Sequence, residues 1–146
     1  MTTPNSNVCL LYSESERVIA NKIEEALKYY SIDIWHPQNI EIGAQIFIET
    51  KKAIEKAKII LVLWSINSVQ DALLIDLATE AKKAKKVIIH VLIERVKVPL
   101  EFTGIKTADL VGWNGNKKNE QFVQVWRILQ DEVSDLQKTI SEKIKQ

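Results

Sequence analysis

The sequence has little cysteine, little net charge and no long apolar run. Its 146 residues include one cysteine, Cys9, so the chain cannot form an internal disulfide. One cysteine and two separated histidines also cannot build a zinc site, and we expect no bound metal. The net charge is +1, from 20 basic and 19 acidic residues. This balance gives no electrostatic reason to expect nucleic acid or an acidic membrane as a partner.

Targeting signals and common nucleotide-binding motifs are also missing. The first ten residues lack the charged and apolar regions of a signal peptide, and no apolar run could span a membrane. We therefore expect a cytoplasmic protein. No G-x-G-x-x-G motif, P-loop or nucleophile elbow occurs. The length suits a single domain over residues 1–146, with a disordered start at 1–6.

The stretch from Lys58 to Glu80 organises the prediction of the fold. It begins with five consecutive apolar residues, Ile59–Leu63, which suit a strand covered on both faces. The polar turn 65–68 follows, with residue types that satisfy free N–H groups at a helix start. Leucines and alanines at helical spacing then predict a helix that carries Asp76 two turns in. Because ligands bind outside the carboxyl ends of parallel strands, we expect a site at this turn.

Apolar runs and helical patterns alternate along the rest of the chain. Strands are predicted at 8–12, 32–35, 59–63, 87–93 and 108–111, and a last helix begins near Phe122 and reaches about Ile144. Strands that alternate with helices indicate a parallel sheet covered on both faces. The expected fold class is therefore α/β, a flavodoxin-like three-layer sandwich with a five-stranded parallel sheet.

Two familiar functions of this fold do not suit the residues at the strand ends. A phosphoacceptor receiver domain needs acidic residues after the first strand and an Asp at the end of the third. Here those places hold Tyr12–Glu14 and Trp64–Ser65. A flavodoxin needs a phosphate-binding loop of Ser, Thr and Gly after the first strand, whereas Ser13–Glu16 is acidic and has no glycine. The site must therefore serve another chemistry.

Four short motifs occur in a fixed order. They are Leu10–Ser13, a strand ending in Tyr-Ser; Ile34–Gly43, with Trp35 and a loop closed by Gly43; Leu61–Val69, with the letters LVLWSINSV; and Asp109–Trp113, ahead of Phe122. In this order they resemble the boxes of a TIR (Toll/interleukin-1 receptor) domain of the bacterial type. The resemblance covers roughly Asn7 to Leu136, which is nearly a whole domain.

The resemblance implies either an enzyme or a protein-contact module. Many family members cleave NAD+ at the nicotinamide–ribose bond, and others act only by assembly in signalling. We expect NAD+ cleavage by an effector of bacterial antiviral defence that is active on self-assembly, with NAD+ as substrate and no cofactor. A non-catalytic interaction and signalling module is the alternative. Self-association is expected through loop 36–46, which contains Ile40, Ile42 and Ile46, and residues 137–146 could link to a sensor module, which could also be a separate protein.

Asp76 is the predicted catalytic carboxylate, with Glu80 as the alternative. The family's enzymes usually carry Ser-x-Trp-Val-x-x-Glu after the NSV turn, and here Asp71 and Leu73 replace the Ser and the Trp. When the family motif is aligned without a gap, Leu77 occupies the position of the glutamate. A variant of the motif has Glu-Leu-Ala after an apolar pair, and in that alignment Asp76 occupies the position of the glutamate. Because nicotinamide leaves as a neutral ring, one carboxylate could stabilise the oxocarbenium-like transition state. The helix dipole alone would also favour an early Asp.

The resemblance also assigns residues that would bind the substrate. They are Tyr12, Ser13, Glu14, Trp35, Gly43, Trp64, Ser65 and Asn67. Ser13 could equally be a helix cap. Between the two tryptophans, Trp35 is expected in the core and Trp64 as a pocket wall. His36 is expected to be a loop residue, and His90 a strand residue with satisfied ring nitrogens.

Overall fold

The computed structural model describes residues 7–37, 43–102 and 106–145, with only the backbone described for 43–46 and 136–145. The predicted disordered start, 1–6, and residues 38–42 of the predicted contact loop lie outside this part. The described elements are β1 Val8–Leu11, α1 Arg17–Tyr29, β2 Ile34–Trp35, α2 Gly43–Lys56, β3 Ile59–Trp64, α3 Ala72–Lys83, β4 Val87–Leu92, β5 Thr107–Asp109 and α4 Glu120–Lys145. Three short 3-10 turns lie between them.

All five strands form one parallel sheet in the order β2-β1-β3-β4-β5. The strand β3 lies at the centre, and all six of its residues are fully buried. This burial explains its continuous apolar sequence, because a central strand has helices against both faces. The predicted fold class is confirmed: the chain is an α/β sandwich of the flavodoxin-like type.

The sheet separates two apolar cores. Alternate residues of β1 and β3, such as Leu10 and Leu61, face α1 and α4. The residues between them, such as Leu11 and Val62, face α2 and α3. Successive side chains of a strand point to opposite faces, so each strand contributes to both cores. The two helix pairs are therefore on opposite sides of the sheet.

The second strand is shorter than the sequence predicted. Strand β2 covers only two residues, because the preceding helix ends in a turn that includes Ser31 and Ile32. Ser31 has a positive φ of 61°, and the N–H of Ile32 donates to the carbonyl of Leu27 at 2.9 Å. This bond closes α1 with a left-handed cap. The hydrogen bond keeps Ile32 in the turn, so the pairing of β2 with β1 begins only at Ile34.

A glycine at position 85 should stabilise the protein. Lys85 has φ of 60° after α3, and the N–H of Lys86 donates to the carbonyl of Ala81 at 3.1 Å. This is a Schellman cap, whose left-handed position favours glycine. We expect Lys85→Gly to raise the free energy of unfolding by about 0.5–1 kcal/mol in urea denaturation. The matched change Lys83→Gly, inside the helix, should lower it by about 0.5 kcal/mol; equal effects would contradict the argument.

Candidate functional site

A cavity of about 130 Å³ opens at the carboxyl end of β1. Its lining comes from β1 and the residues after it, the end of β2, and the helices α2 and α3. The lining residues are Leu10, Leu11, Tyr12, Glu14, Pro37, Thr50, Asp71, Leu73, Leu74 and Leu77. The floor is therefore apolar, and the polar groups come from the residues that follow strands. This is the edge of a parallel sheet at which ligands bind.

Asp71 connects the two sides of the cavity through hydrogen bonds of its carboxylate. Its Oδ1 accepts hydrogen bonds from the N–H groups of Leu73 and Leu74, at 3.1 and 3.2 Å. Its Oδ2 accepts a 2.7 Å bond from the hydroxyl of Ser13. Asp71 is therefore the N-cap of α3. Ser13 caps no helix through its side chain, and instead it joins the end of β1 to the start of α3.

The polar turn 65–68 does not begin the helix, contrary to the prediction. Ser65 and Ser68 are fully buried and bond to each other. The N–H of Ser65 donates to Oγ of Ser68 at 2.6 Å, and the N–H of Ser68 donates to Oγ of Ser65 at 3.0 Å. Asn67 is exposed, and its Nδ2 donates to Oγ of Ser15 at 3.1 Å. The turn thus closes on itself, and Asn67 connects it to the residues after β1.

His36 is buried, although the sequence suggested a plain loop residue. Its Nε2 lies 3.2 Å from Oε1 of Glu24, a carboxylate that is itself nearly buried on α1. Its Nδ1 lies 3.0 Å from the hydroxyl of Tyr12, which also donates to the carbonyl of Pro37 at 2.8 Å. Burial raises the pKa of Tyr12 to about 12. The cavity wall formed by Tyr12 and Pro37 is therefore supported from behind by an ionisable pair.

Glu14, at the rim of the cavity, is held by Arg17. The guanidinium donates from Nε to one carboxylate oxygen at 2.8 Å and from Nη2 to the other at 2.7 Å. These two bonds lower the pKa of Glu14. Arg17 also donates from Nη1 to the carbonyl of Pro37 at 3.1 Å. Arg17 therefore fixes both the rim and the residue at which the described part of the loop ends.

Comparison with known proteins identifies the family to which the chain belongs. The sequence model of the TIR domain family matches residues 8–145, which is most of the chain. This chain belongs to the TIR domain family. The fold of the TIR domain of the Toll-related receptor TRR-2 from Hydra magnipapillata is similar, with a TM-score of 0.68 at 18% identity. The match covers 88% of this chain and 98% of that one. A comparison with curated proteins finds no match.

Trp64 is not a wall of the cavity in this TIR domain, which corrects the sequence-based prediction. It is the last residue of β3 and has no exposed surface. Its Nε1 donates to Nδ1 of His90 at 2.7 Å, and its ring packs against those of His90 and Phe102. The prediction that His90 has satisfied ring nitrogens is also wrong, since its buried Nε2 has no hydrogen-bond partner among the described residues. Trp35 lies in the core between the sheet and α2, as the sequence favoured.

Asp76 is exposed on α3 and does not line the cavity of the TIR domain. The helix begins at Ala72, so Asp76 is its fifth residue and lies about one turn in, not two. Glu80 is half-buried one turn later and is also outside the lining. Gly43 is the first residue of α2. The cavity therefore brings together Tyr12 and Glu14 of the predicted residues, with Ser13 bonded to its edge.

Sequence reasoning did not place Asp71, Pro37, Thr50 or the leucines of the cavity floor in the TIR site. Asp71 stands directly before an apolar helical run, which is a cap signal in its own right.

In the described residues no group of His, Cys, Asp and Glu could hold a metal ion. None of the described helices is long and apolar enough to cross a membrane.

Proposed function

We propose that this TIR domain works by contact with other proteins, and first with further copies of itself, as a signalling module in the cytoplasm. The observation that carries this proposal is a set of exposed apolar side chains at the edge that holds the cavity. Val18 is 69% exposed, Ile66 55% and Leu73 41%. We call these three residues the apolar rim. We propose that these side chains belong to one contact surface, since contiguous exposed apolar surface marks such sites.

The three residues of the apolar rim all follow strands at the edge of the sheet that holds the cavity. Val18 lies in the first turn of α1, Ile66 follows β3, and Leu73 lies in the first turn of α3. Each therefore comes after the carboxyl end of a strand, and parallel strands place those ends at one edge. Leu73 also lines the cavity. The loop 36–46, which follows β2 at the same edge, is proposed to belong to the contact surface, and an attached or separate sensor module would bring the copies together.

The acidic residues of the cavity favour contact over chemistry. Asp71 accepts three hydrogen bonds through its two carboxylate oxygens. Both oxygens of Glu14 accept from Arg17. A carboxylate that must stabilise a developing cation should keep its lone pairs directed at the substrate. In the arrangement described here, hydrogen bonds from the protein itself occupy three acceptor sites of the Asp71 carboxylate and two of the Glu14 carboxylate, out of about four in each.

Cleavage of NAD+ at the nicotinamide–ribose bond is the second candidate function, as an effector of antiviral defence. The observation that favours it is the position of Asp76, which is exposed and for which no hydrogen bond is described. It lies one turn after Leu73, which lines the cavity, so the two side chains are neighbours on the helix. A neighbouring copy that closed over the apolar rim would enclose Asp76 together with the cavity and exclude water from it.

Self-association is tested by sedimentation of the protein over a range of concentrations. We expect Leu73→Arg to weaken association about tenfold or more, because it places a charge in the apolar rim. The matched control is Leu100→Arg, since Leu100 is 86% exposed and precedes Glu101, whose carbonyl accepts from Lys82 near the far end of α3. The control should leave association unchanged. Equal effects of the two changes, or a strict monomer at every concentration, would reject the contact surface.

The two candidates are separated by nicotinamide release from NAD+ at high protein concentration. We expect no release if the module works by contact alone. Release that Asp76→Ala abolishes and Glu80→Ala retains would establish NAD+ cleavage with Asp76 as the carboxylate. Release that only Glu80→Ala abolishes would move the site one turn along α3. Both changed side chains lie outside the cavity lining, so circular dichroism should confirm an unchanged fold in each variant.

A further inference from the structure

Lysines gather at the edge of the sheet where the strands begin, opposite the edge that holds the cavity. Lys58 directly precedes β3, and Lys86 directly precedes β4. These two strands are neighbours, with Ile59 paired to Val87. The N–H of Val87 donates to the carbonyl of Lys58 at 3.2 Å. Because the strands are parallel, Lys58 and Lys86 lie side by side at this edge.

Two helices end beside these strand starts. The helix α2 ends at Lys56, and Nζ of Lys86 donates to the carbonyl of Glu55 in its last turn at 2.9 Å. The helix α3 ends at Lys83, and the N–H of Lys86 donates to the carbonyl of Ala81 at 3.1 Å. Three segments of the chain therefore meet here. We call the lysines of these segments the lysine patch: Lys56, Lys58, Lys82, Lys83, Lys85 and Lys86.

The positive charge of the lysine patch is not balanced within the part of the chain that the structure describes. There, no lysine of the patch forms an ion pair with a carboxylate. The ammonium groups of Lys82 and Lys86 donate to backbone carbonyls instead. Each helix end carries about half a negative charge, and Glu55 and Glu80 are the acidic residues of the same turns. Together these groups offset only about half of the charge of the patch.

The charges of the lysine patch also act on one another. Burial lowers the pKa of Lys86, and the positive charge of Lys58 lowers it further, whereas the carboxylate of Glu55 raises it. Lys86 is half-buried, and the other five lysines are exposed. The folded protein thus holds like charges close together on its surface, and a bound anion would relieve their repulsion.

We propose that the lysine patch is a docking surface for an acidic segment of another protein, one rich in aspartate and glutamate. The carboxylates of such a segment would pair with the exposed ammonium groups, and no existing ion pair of the patch would have to break. The surface lies at the edge opposite the apolar rim. It is therefore separate from the proposed contact between copies and does not depend on that proposal.

The residues around the ammonium groups favour an acidic protein over a nucleic acid or a membrane. The turns 55–58 and 80–87 contain no arginine, whose planar fork matches a phosphate, and no aromatic ring on which a base could stack. They also expose no large apolar side chain, and stable anchoring to a membrane takes a second signal besides a basic patch. Lysines on flexible stems can instead follow carboxylates along an extended acidic segment, and such segments often act as interaction tails.

Binding is tested with the whole chain and a labelled oligoglutamate peptide at about 0.15 M salt, where distant surface charges are largely screened. We expect the double change Lys58→Gln and Lys83→Gln to weaken binding about tenfold, because it removes two exposed ammonium groups from the lysine patch. The matched control is Lys22→Gln with Lys118→Gln, which has the same net charge. It changes exposed lysines on α1 and just before α4, on the other face of the sheet, and should bind the peptide as the original does.

NMR of the lysine ammonium groups locates the peptide without any substitution. Bound carboxylates should raise the pKa of Lys86, because they oppose the repulsion from Lys58. An unchanged pKa of Lys86 at saturating peptide would overturn the proposal, as would a lack of binding at this salt concentration or equal losses in the two double variants. Tighter binding of a duplex RNA, or of vesicles that contain phosphatidylserine, would assign the lysine patch to another class of partner and reject the acidic segment.

Discussion

Replacing Asp71 by alanine should lower the free energy of unfolding by about 2–3 kcal/mol. The side chain caps α3 through two N–H groups and accepts a bond from Ser13. Loss of an N-cap costs about 1 kcal/mol, and loss of a hydrogen bond to a charged group costs about 1.5 kcal/mol more. Because Ser13 is buried, its hydroxyl would also be left without this acceptor. Urea denaturation at neutral pH measures the change.

Two further substitutions separate the contribution of the helix cap of Asp71 from that of its hydrogen bond with Ser13. Asp71→Asn keeps an oxygen for the cap and an amide that can donate to the hydroxyl of Ser13, so it should cost less than about 1 kcal/mol. Ser13→Ala removes only the link between β1 and α3 and should cost about 1 kcal/mol. If Asp71→Ala cost no more than a typical surface change of about 0.5 kcal/mol, the cavity edge would not depend on this side chain.

The fold followed from the sequence because its main signal is local. The run Ile59–Leu63 is apolar at every position, and only a strand covered on both faces buries all of it. The position of Trp64 could not be predicted in the same way. The strand continues one residue further than expected. The alternation of side chains along it places the ring of Trp64 on the face of the sheet that packs against α2 and α3. The sequence-based prediction placed this tryptophan after the end of the strand and at the cavity, whereas the structure places it inside the strand and in the core.

The site was harder to predict because it depends on where α3 begins. Each residue turns a helix by about 100°, so a start at Ala72 instead of within the turn 65–68 decides which side chains face the cavity. With this start, Leu73 and Leu77 line the cavity, and Asp76 does not.

The pairing of His36 with Glu24 could not be predicted for another reason. The two residues are twelve positions apart, on a helix and after the next strand, and no local pattern records their contact.

Acid should destabilise the protein through His90. Burial lowers the pKa of this ring to about 4 in the folded chain, from 6.5 in an exposed setting. Above pH 6.5 the ring is neutral in both states, and its contribution to stability is fully present. As the pH falls from 6.5 towards 4, the unfolded chain binds a proton that the folded chain does not. The free energy of unfolding should therefore fall by about 1.4 kcal/mol per pH unit, or about 3 kcal/mol in all.

The variant His90→Asn isolates this effect from that of the carboxylates, which also titrate in acid. Asparagine cannot be protonated, yet its Oδ1 can accept from Nε1 of Trp64 in place of the ring nitrogen. We expect the variant to be less stable than the original at pH 7, because the smaller side chain leaves space beside Trp64 and Phe102. Between pH 6.5 and 4 the difference between the two proteins should shrink by about 3 kcal/mol. Urea denaturation at several pH values in this range measures the free energy of unfolding of both proteins. If it fell equally with pH in the two proteins, His90 would not be the group that responds to acid.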